Sequence, residues 1–311
     1  MIFRSTIHIP KAEQAITHHN GVLCMGSCFA SNITQKLTEN GFDACNPFGA
    51  LYNPISIAQG IQYAIKGTPI QQEDLFLQDE KWHHIDFHSD FSHPEAPKAL
   101  EQINNAILQA HQAWLNSHVL IITLGTAWCY TWHQTGQVVG NCHRLPAQQF
   151  TRSRLSVEQI VTCLNTICSL AQSKQIIVTV SPIRHLKDGA HQNNLSKALL
   201  LLACEKVEKQ WDNVSYFPSY EIMMDELRDY RFYADDMMHP SPLAVQYIWQ
   251  RFSETFFTEA TQKACADRLK ITQMQQHRPS DTQSEAYRQL QEKIATMLQN
   301  WEKKYLRAKP D

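Results

Sequence analysis

Short apolar runs alternate with longer amphipathic segments along most of this chain, and this alternation predicts its fold. Val22–Met25, His118–Leu124 and Gln175–Val180 have the length and composition of buried strands. Helical patterns follow the first and the last of these runs, at Ala30–Glu39 and Gln192–Lys209. Strands that are apolar on both faces are typical of parallel sheets covered by helices. We therefore expect an α/β fold, a three-layer α/β/α sandwich around a mostly parallel sheet of about five strands.

Weaker signals fill the intervals between these runs. Short strands are expected at Phe42–Cys45 and Val214–Phe217, and a β-hairpin at Trp128–Val139. Further helices are predicted at Pro54–Ile65, Pro97–Leu115, Val157–Gln172, Ser219–Arg228 and Leu243–Phe257. The carboxyl ends of parallel strands meet at one edge of a sheet, so the residues that follow the strong runs should share one site.

The sequence changes character after Thr258, which divides it into a domain at 1–258 and a C-terminal helical extension at 259–311. Residues 262–283 are polar and carry few structural signals, whereas Ala286–Leu306 predicts an amphipathic helix. We expect this helix to pack on the domain's own surface, with a homodimer contact as the alternative. Within the domain, residues 68–96 predict a small β-hairpin insertion.

Composition argues against several classes of partner. The 311 residues carry a net charge of −2, and the sequence pI is about 6.7. This charge argues against a nucleic-acid surface or a polybasic membrane patch. No apolar run approaches the ~18 residues of a membrane helix, and the first residues show no signal-peptide core. The nine cysteines form no Cys-x-x-Cys motif, so we expect reduced thiols and a cytoplasmic protein.

Ser27, which follows the first apolar run, is the first candidate for chemistry. The run stops at Gly26, and a helix-like pattern begins directly afterwards with Phe29 and Ala30. A helix N-terminus offers unpaired N–H groups and a positive dipole end. A serine there can attack a carbonyl carbon while nearby amides stabilise the oxyanion. Serine is also a preferred N-cap residue, so Ser27 alone fits that structural role as well.

A carboxylate and a histidine that would complete such a site lie near the other end of the domain. Asp236 and His239 are three residues apart, in a segment stiffened by Pro240 and Pro242. At this spacing the carboxylate can fix the tautomer of the imidazole while the other ring nitrogen faces Ser27. The chain has 15 histidines, and an ordinary turn with a surface histidine is the alternative.

The stretch Gly26-Ser-Cys-Phe-Ala30 spells the motif after which the GSCFA family is called, and the chain resembles that family from about residue 3 to about residue 257. The family looks like a branch of the SGNH hydrolases, the GDSL-like lipases and esterases. The resemblance implies their flavodoxin-like sandwich and their ester chemistry. Further matching stretches are Asn46–Pro54, Leu124–Trp128, Asn141–Arg144, Val180–Gly189, Asp225–Tyr233 and Asp236–Ser241.

The resemblance also implies roles for individual residues. Ser27 resembles the SGNH nucleophile, and Asp236 and His239 resemble the acid and the base of the last motif. The N–H groups of Ser27 and Gly49 would contribute to the oxyanion hole. Cys28 is a rival nucleophile, because it also lies at the helix N-terminus, where the pKa of a thiol tends to fall.

One SGNH motif is incomplete in this chain. Where SGNH enzymes usually carry Gly-x-Asn, with the Asn amide donating to the oxyanion, this sequence has Gly125-Thr-Ala127. Loss of one oxyanion donor typically lowers the rate by a factor of about 100 to 1000. We expect Asn141 to supply the donor, with the Thr126 hydroxyl as second choice. A turn residue is the alternative interpretation of Asn141.

Other polar residues are candidates for substrate contact. Gly125 follows one strong strand, and Arg184 and His185 follow another, where they could line the mouth of the pocket. In the insertion, a strand would place His84, Asp86, His88 and Asp90 on one face. Such a face suits a wet surface, a polar cleft wall or a zinc or iron site. We expect no metal and take His88 as a substrate-binding candidate.

These expectations combine into a serine esterase of the SGNH type that hydrolyses or transfers an O-acyl or O-acetyl group. By analogy with related SGNH groups, the substrate would be a carbohydrate or small-metabolite ester. No glycine-rich nucleotide motif is present, so no cofactor is expected. Two alternatives remain: a binding protein that has lost turnover, and a thiol acyl-transfer enzyme that uses Cys28.

Overall fold

A five-stranded parallel sheet forms the centre of the computed structural model, which describes residues 5–276 and 284–306. The strands in these residues are β1 (Gly21–Gly26), β2 (Ala44–Cys45), β3 (Phe76–Gln78), β4 (Lys81–His83), β5 (Ser117–Leu124), β6 (Trp128–Trp132), β7 (Val138–Val139), β8 (Phe150–Arg154), β9 (Gln175–Val180) and β10 (Val214–Tyr216). The central sheet has the order β10-β9-β5-β1-β2, and each neighbouring pair in it is parallel. The predicted α/β sheet is confirmed.

Helices cover both faces of this sheet and complete the three-layer sandwich. The helices in the described residues are α1 (Cys28–Glu39), α2 (Pro54–Lys66), α3 (Ala96–Asn116), α4 (Val157–Leu170), α5 (Ala190–Glu208), α6 (Ser219–Glu221), α7 (Pro242–Phe256), α8 (Glu259–Gln275) and α9 (Glu285–Tyr305). Side chains along β5 alternate between the two faces. Leu120 and Ile122 pack with α2 to α5, whereas Val119 and Ile121 pack with α1 and α7.

Two smaller sheets lie outside the central one, and one of them is larger than predicted. β3 and β4 form the antiparallel hairpin of the insertion. The predicted hairpin of β6 and β7 is joined by β8, which pairs with the other edge of β6. The sequence Phe150-Thr-Arg-Ser-Arg154 is largely polar and exposed. It therefore lacks the apolar alternation by which a half-buried strand is recognised.

The histidine-rich segment of the insertion differs from its prediction as a strand. β4 ends before His84, and a short 3₁₀ helix follows His88. His84 Nδ1 accepts the N–H of Asp86 at 3.2 Å, and His88 Nδ1 accepts the N–H of Asp90 at 3.4 Å. Such local bonds compete with strand pairing, so the predicted common face was wrong. In the described part of the chain, no group of three or more metal-ligating side chains gathers.

The C-terminal extension contains two helices, of which only α9 was predicted. α8 begins after Thr258, whose Oγ1 accepts the N–H of Thr261 at 3.1 Å. Its sequence is polar on most sides, but Ala264 and Ile271 pack against Trp301 and other apolar residues of α9. The apolar face of α9 thus lies against this chain's own α8, and the homodimer contact stays a prediction.

Among the described helices, none combines the length and the apolar character needed to span a bilayer. All nine cysteines lie in described residues, and each is a free thiol.

Candidate functional site

The turn between β1 and α1 places Ser27 and Cys28 at the carboxyl edge of the sheet. Gly26 makes this turn with φ 137°, and a Cβ at this position would lie 2.1 Å from the Thr123 carbonyl oxygen. Only glycine fits so close an approach of two backbones in this conformation. Ser27 is the N-cap of α1, and its Oγ accepts the N–H of Phe29 at 3.3 Å.

The Ser27 side chain is enclosed at this position, with 1% of its surface exposed. Its Oγ lies 3.1 Å from Oγ1 of Thr123 on β5, and its N–H donates to the Thr123 carbonyl at 2.9 Å. The Ser27 hydroxyl and N–H, both expected to act on substrate, are therefore occupied by structural hydrogen bonds. Its role as a nucleophile stays a prediction.

Cys28, the next residue, lies on the wall of a cavity of about 500 Å³. The Sγ of Cys28 is 3.4 Å from the Tyr52 hydroxyl. Burial raises the pKa of Tyr52, so its phenol is protonated and can donate to the sulfur. As the first residue of α1, Cys28 has an N–H without an acceptor inside the helix. We call the cavity of about 500 Å³ beside Cys28 the site cavity. Its wall includes Cys28, Tyr52, His88, Asn141, Arg184 and His239.

Asp236 and His239 form a bonded pair in the loop before α7. His239 Nδ1 lies 2.5 Å from Asp236 Oδ2, and Asp236 Oδ1 accepts the N–H groups of Met238 and His239, each at 2.9 Å. These N–H groups and the imidazole lower the pKa of Asp236 to about 2, so the carboxylate is ionised at neutral pH. The loop between them contains Met237, a non-glycine residue with φ 57°, which is a strained conformation.

The Asp236–His239 loop reaches the same cavity as Cys28. The Arg184 N–H donates to the Met238 carbonyl at 3.2 Å, which ties this loop to the segment after β9. The His239 side chain is 43% exposed and lines the site cavity. The structure thus brings together, at one edge of the sheet, residues separated by more than 200 positions.

The three remaining oxyanion candidates have different surroundings. Asn141 lines the site cavity; its Oδ1 accepts the N–H of His143 at 2.9 Å, which leaves Nδ2 free of any described acceptor. The Thr126 hydroxyl lies 3.0 Å from Ser196 Oγ and accepts the N–H of Trp128 at 3.1 Å. Gly49 has φ 66° and precedes Ala50, which pairs with the end of β1. Asn141 thus has a donor without a described partner, whereas the Thr126 hydroxyl shares its hydrogen bond with Ser196.

Gly125 lies behind Ser27 rather than on the cavity wall. Its N–H donates to the Tyr52 carbonyl at 2.9 Å. A Cβ on Gly125 would lie 2.8 Å from that oxygen and 3.2 Å from the Ser27 Cβ. Packing between two chain segments therefore explains this glycine.

Arg184, His185 and His88, the other predicted substrate contacts, all line the site cavity. The His185 ring lies edge-on to Tyr52, with 5.9 Å between ring centroids. Burial, and then the positive charge of Lys197, lower the pKa of His185 to about 4, so its ring is neutral at pH 7. His88 Nδ1 is 3.0 Å from the carboxylate of Asp90.

Sequence reasoning missed Lys197, which binds the backbone that follows β5 and β9 at this edge of the sheet. Its Nζ is buried and donates to the carbonyls of Gly125 and Ser181, each at 2.7 Å. Burial lowers the pKa of Lys197 to about 7. A single lysine within a predicted helix does not indicate that its side chain is buried against the sheet. Tyr52 was also missed, although it lies inside one of the motif stretches.

Comparison with known proteins places the chain in a family. A GSCFA family model matches residues 21–252, and a model described as the GSCFA domain protein C-terminal domain matches residues 269–309. The chain belongs to the GSCFA family.

No curated protein matches the chain. Among solved structures it is similar to an acetyl xylan esterase, Est2A, from the rumen bacterium Butyrivibrio proteoclasticus. The two sequences are 11% identical and the TM-score is 0.37. The match covers 79% of this chain and 64% of the esterase chain.

Proposed function

We propose that this protein hydrolyses or transfers an O-acyl group through a covalent acyl-enzyme intermediate. His239 is the general base in this proposal, and Asp236 orients its ring and stabilises its charged form. The observation that carries the proposal is the 2.5 Å bond between the two side chains, with the imidazole on the wall of the cavity that Cys28 also lines. Acyl transfer requires a base and a nucleophile that reach the same substrate, and both of these side chains line one cavity.

The placement of the side chains favours Cys28 as the attacking atom. Cys28 lines the cavity, and the Tyr52 hydroxyl and its own N–H lie beside it. Ser27, the nucleophile expected from the motif, would first have to give up its hydrogen bonds to Phe29 and Thr123. We therefore propose Cys28 and keep Ser27 as the alternative.

The chemistry follows in two halves. His239 takes the thiol proton, the sulfur attacks the ester carbonyl carbon, and the carbonyl electron pair moves to the oxygen. The Cys28 N–H and the Asn141 amide are the donors available to this oxyanion. Collapse breaks the bond to the alcohol, which leaves with the proton from His239. Water, or a hydroxyl of an acceptor molecule, then attacks the thioester with His239 as base, and the thiol is regenerated.

The alcohol component in this proposal is a carbohydrate or another small polyhydroxyl metabolite. The wall of the site cavity combines amide and hydroxyl groups with the aromatic rings of Trp128 and Tyr130. Ligand pockets fix orientation with a few such polar groups among apolar ones. This composition suits a hydroxyl-rich ligand.

A short-chain 4-nitrophenyl ester assay on wild type, Ser27→Ala, Cys28→Ala and His239→Ala tests the proposal. We expect turnover in wild type, loss in Cys28→Ala and His239→Ala, and retention in Ser27→Ala. The reverse pattern at positions 27 and 28 would assign the chemistry to the serine. Ligand binding without turnover of any ester would instead identify a binding protein. The incomplete Gly-x-Asn motif favours this alternative.

A further inference from the structure

Positive charge is concentrated on the wall of the site cavity. Arg152, Arg184 and Lys187 line it, and Asp188 is the acidic residue on the same wall. The chain as a whole has a net charge of −2, so this excess is local to the cavity. A cleft lined by one sign of charge raises the local concentration of ligands of the other sign.

Asp188, the acidic residue on this wall, already has a partner. Asp188 forms an ion pair with Arg152, whose guanidinium also stacks 4.1 Å above the Trp128 ring. Asp236 is bound to His239, and the exposed carboxylate of Asp90 lies 3.0 Å from His88 Nδ1 and points largely into solvent. Once these pairs are assigned, the cations on the wall that form no ion pair with any described residue are Arg184 and Lys187.

Arg184 is the better placed of the two to bind a ligand. Its side chain is half-buried, and its backbone is held by the loop that carries His239. The aromatic side chains that interact with it are Tyr220 and Tyr233, and burial raises the pKa of both. Both phenols are therefore neutral, so they leave the charge of Arg184 uncompensated. A half-buried guanidinium without a counter-ion is a site for a carboxylate or a phosphate.

We infer that the substrate carries an anionic group, a carboxylate or a phosphate, close to its ester bond, and that Arg184 binds it. This inference rests on the proposed acyl transfer. Arg184 and His239 line one cavity and are joined through the Met238 carbonyl. An anion held by Arg184 therefore lies within the length of a small molecule from the reacting atoms. Lys187, which is exposed, adds attraction from the rim of the cavity.

Matched ester pairs test the inference. On the acyl side, 4-nitrophenyl butyrate is compared with 4-nitrophenyl hemisuccinate. On the alcohol side, methyl 4-acetoxybenzoate is compared with 4-acetoxybenzoate, and an O-acetyl sugar with its phosphate monoester. We expect kcat/KM to favour the anionic member by about 10- to 100-fold in at least one pair, as for a hydrogen bond to a charged group. The ester pair that shows the preference identifies whether the bound anion is a carboxylate or a phosphate.

Variants and salt separate specific binding from general attraction. Arg184→Gln should reduce the preference about tenfold or more, Arg184→Lys should restore part of it, and added salt should weaken it. Lys263→Gln, an exposed lysine on α8, is the matched control and should change nothing. Equal kcat/KM for both members of every pair in an active wild type would overturn the inference.

Failure of the proposed function gives a different result. If no ester is turned over, binding of succinate and of succinamide is compared by isothermal calorimetry on wild type and Arg184→Gln. Selective binding of succinate that Arg184→Gln abolishes would support the anion site alone. Absence of any preference for succinate would contradict it.

Discussion

Ser27 and Cys28 are neighbours in the sequence, but their side chains have different surroundings. The motif correctly predicts that a helix begins here, because the apolar run ends at a glycine and the helical pattern starts at once. It does not predict which of the two side chains lines the cavity. One residue turns a helix by about 100°, and the outcome depends on Thr123, which is 96 residues away.

The two residues should therefore respond differently to substitution. Ser27→Ala removes the N-cap of α1 and should lower the free energy of unfolding by about 1 kcal/mol, with esterase activity kept. Among the described residues, the Cys28 side chain has Tyr52 as its hydrogen-bond partner, so Cys28→Ala should abolish acyl transfer with little effect on stability. Urea unfolding and ester hydrolysis, measured on both variants, check this. An inactive Ser27→Ala protein of normal stability would contradict it.

Asp236 offers a second test at this scale. Asp236→Asn keeps an oxygen for the N–H groups of Met238 and His239 but loses the charge that orients and stabilises the imidazole. In a triad of this kind we expect kcat to fall by about 10⁴. The measurement is steady-state kinetics with circular dichroism as the control for folding. Unchanged kcat would show that the pair plays no part in the reaction.

At the scale of elements, the strong strands were predictable and the weak ones were not. β1, β5 and β9 are apolar on both faces, since helices cover the sheet on either side. β8 and α8 are held by tertiary contacts instead, and their own sequences show little amphipathic pattern. The strand predicted at residues 84–88 does not form, because the His84 and His88 rings accept hydrogen bonds from the nearby backbone.

Lys197 connects two of these strands, and its contribution should depend on pH. The folded protein lowers the pKa of Lys197 from 10.5 to about 7 by burial. Between these values the unfolded chain holds a proton that the folded chain does not, so raising the pH favours the folded state. Between about pH 7 and 10, wild type should therefore gain stability relative to Lys197→Met, by at most about 1.4 kcal/mol per pH unit.

Urea unfolding of both proteins between pH 7 and 9 measures this difference. In the variant, two carbonyls are left without a donor, at a cost of roughly 1–3 kcal/mol each that does not change with pH. Those carbonyls belong to Gly125 and Ser181. A stability difference that stays constant with pH would show that the Lys197 amine does not titrate in this range.

At the scale of the whole molecule, Trp301 is one of the residues that join the C-terminal helices to the domain. Its indole is buried, donates to the Ala264 carbonyl at 2.9 Å and lies edge-on to His18, 5.2 Å between centroids. We expect Trp301→Ala to lower stability by about 3–5 kcal/mol in a single unfolding transition. Calorimetry checks this. Two separate transitions would mean that 259–311 unfolds independently of the domain.

The convergence of the site was predictable from chain topology, but its charge was not. Residues that follow β1, β5 and β9 meet because parallel strands end at one edge. His239 arrives there on a loop, as the motif implied. Arg152 and Asp188 come from a strand and a short 3₁₀ helix without a sequence signal, and their pairing shows that Asp188 does not neutralise Arg184.

Trapping the acyl-enzyme tests most directly whether Cys28 is the nucleophile. Wild type and Cys28→Ala are mixed with 4-nitrophenyl butyrate, quenched with acid and digested, and the peptide that contains residues 27 and 28 is examined by tandem mass spectrometry. We expect a butyryl group on Cys28 in wild type, and none in Cys28→Ala. Hydrolysis without an adduct on either residue, or an adduct on Ser27, would contradict it.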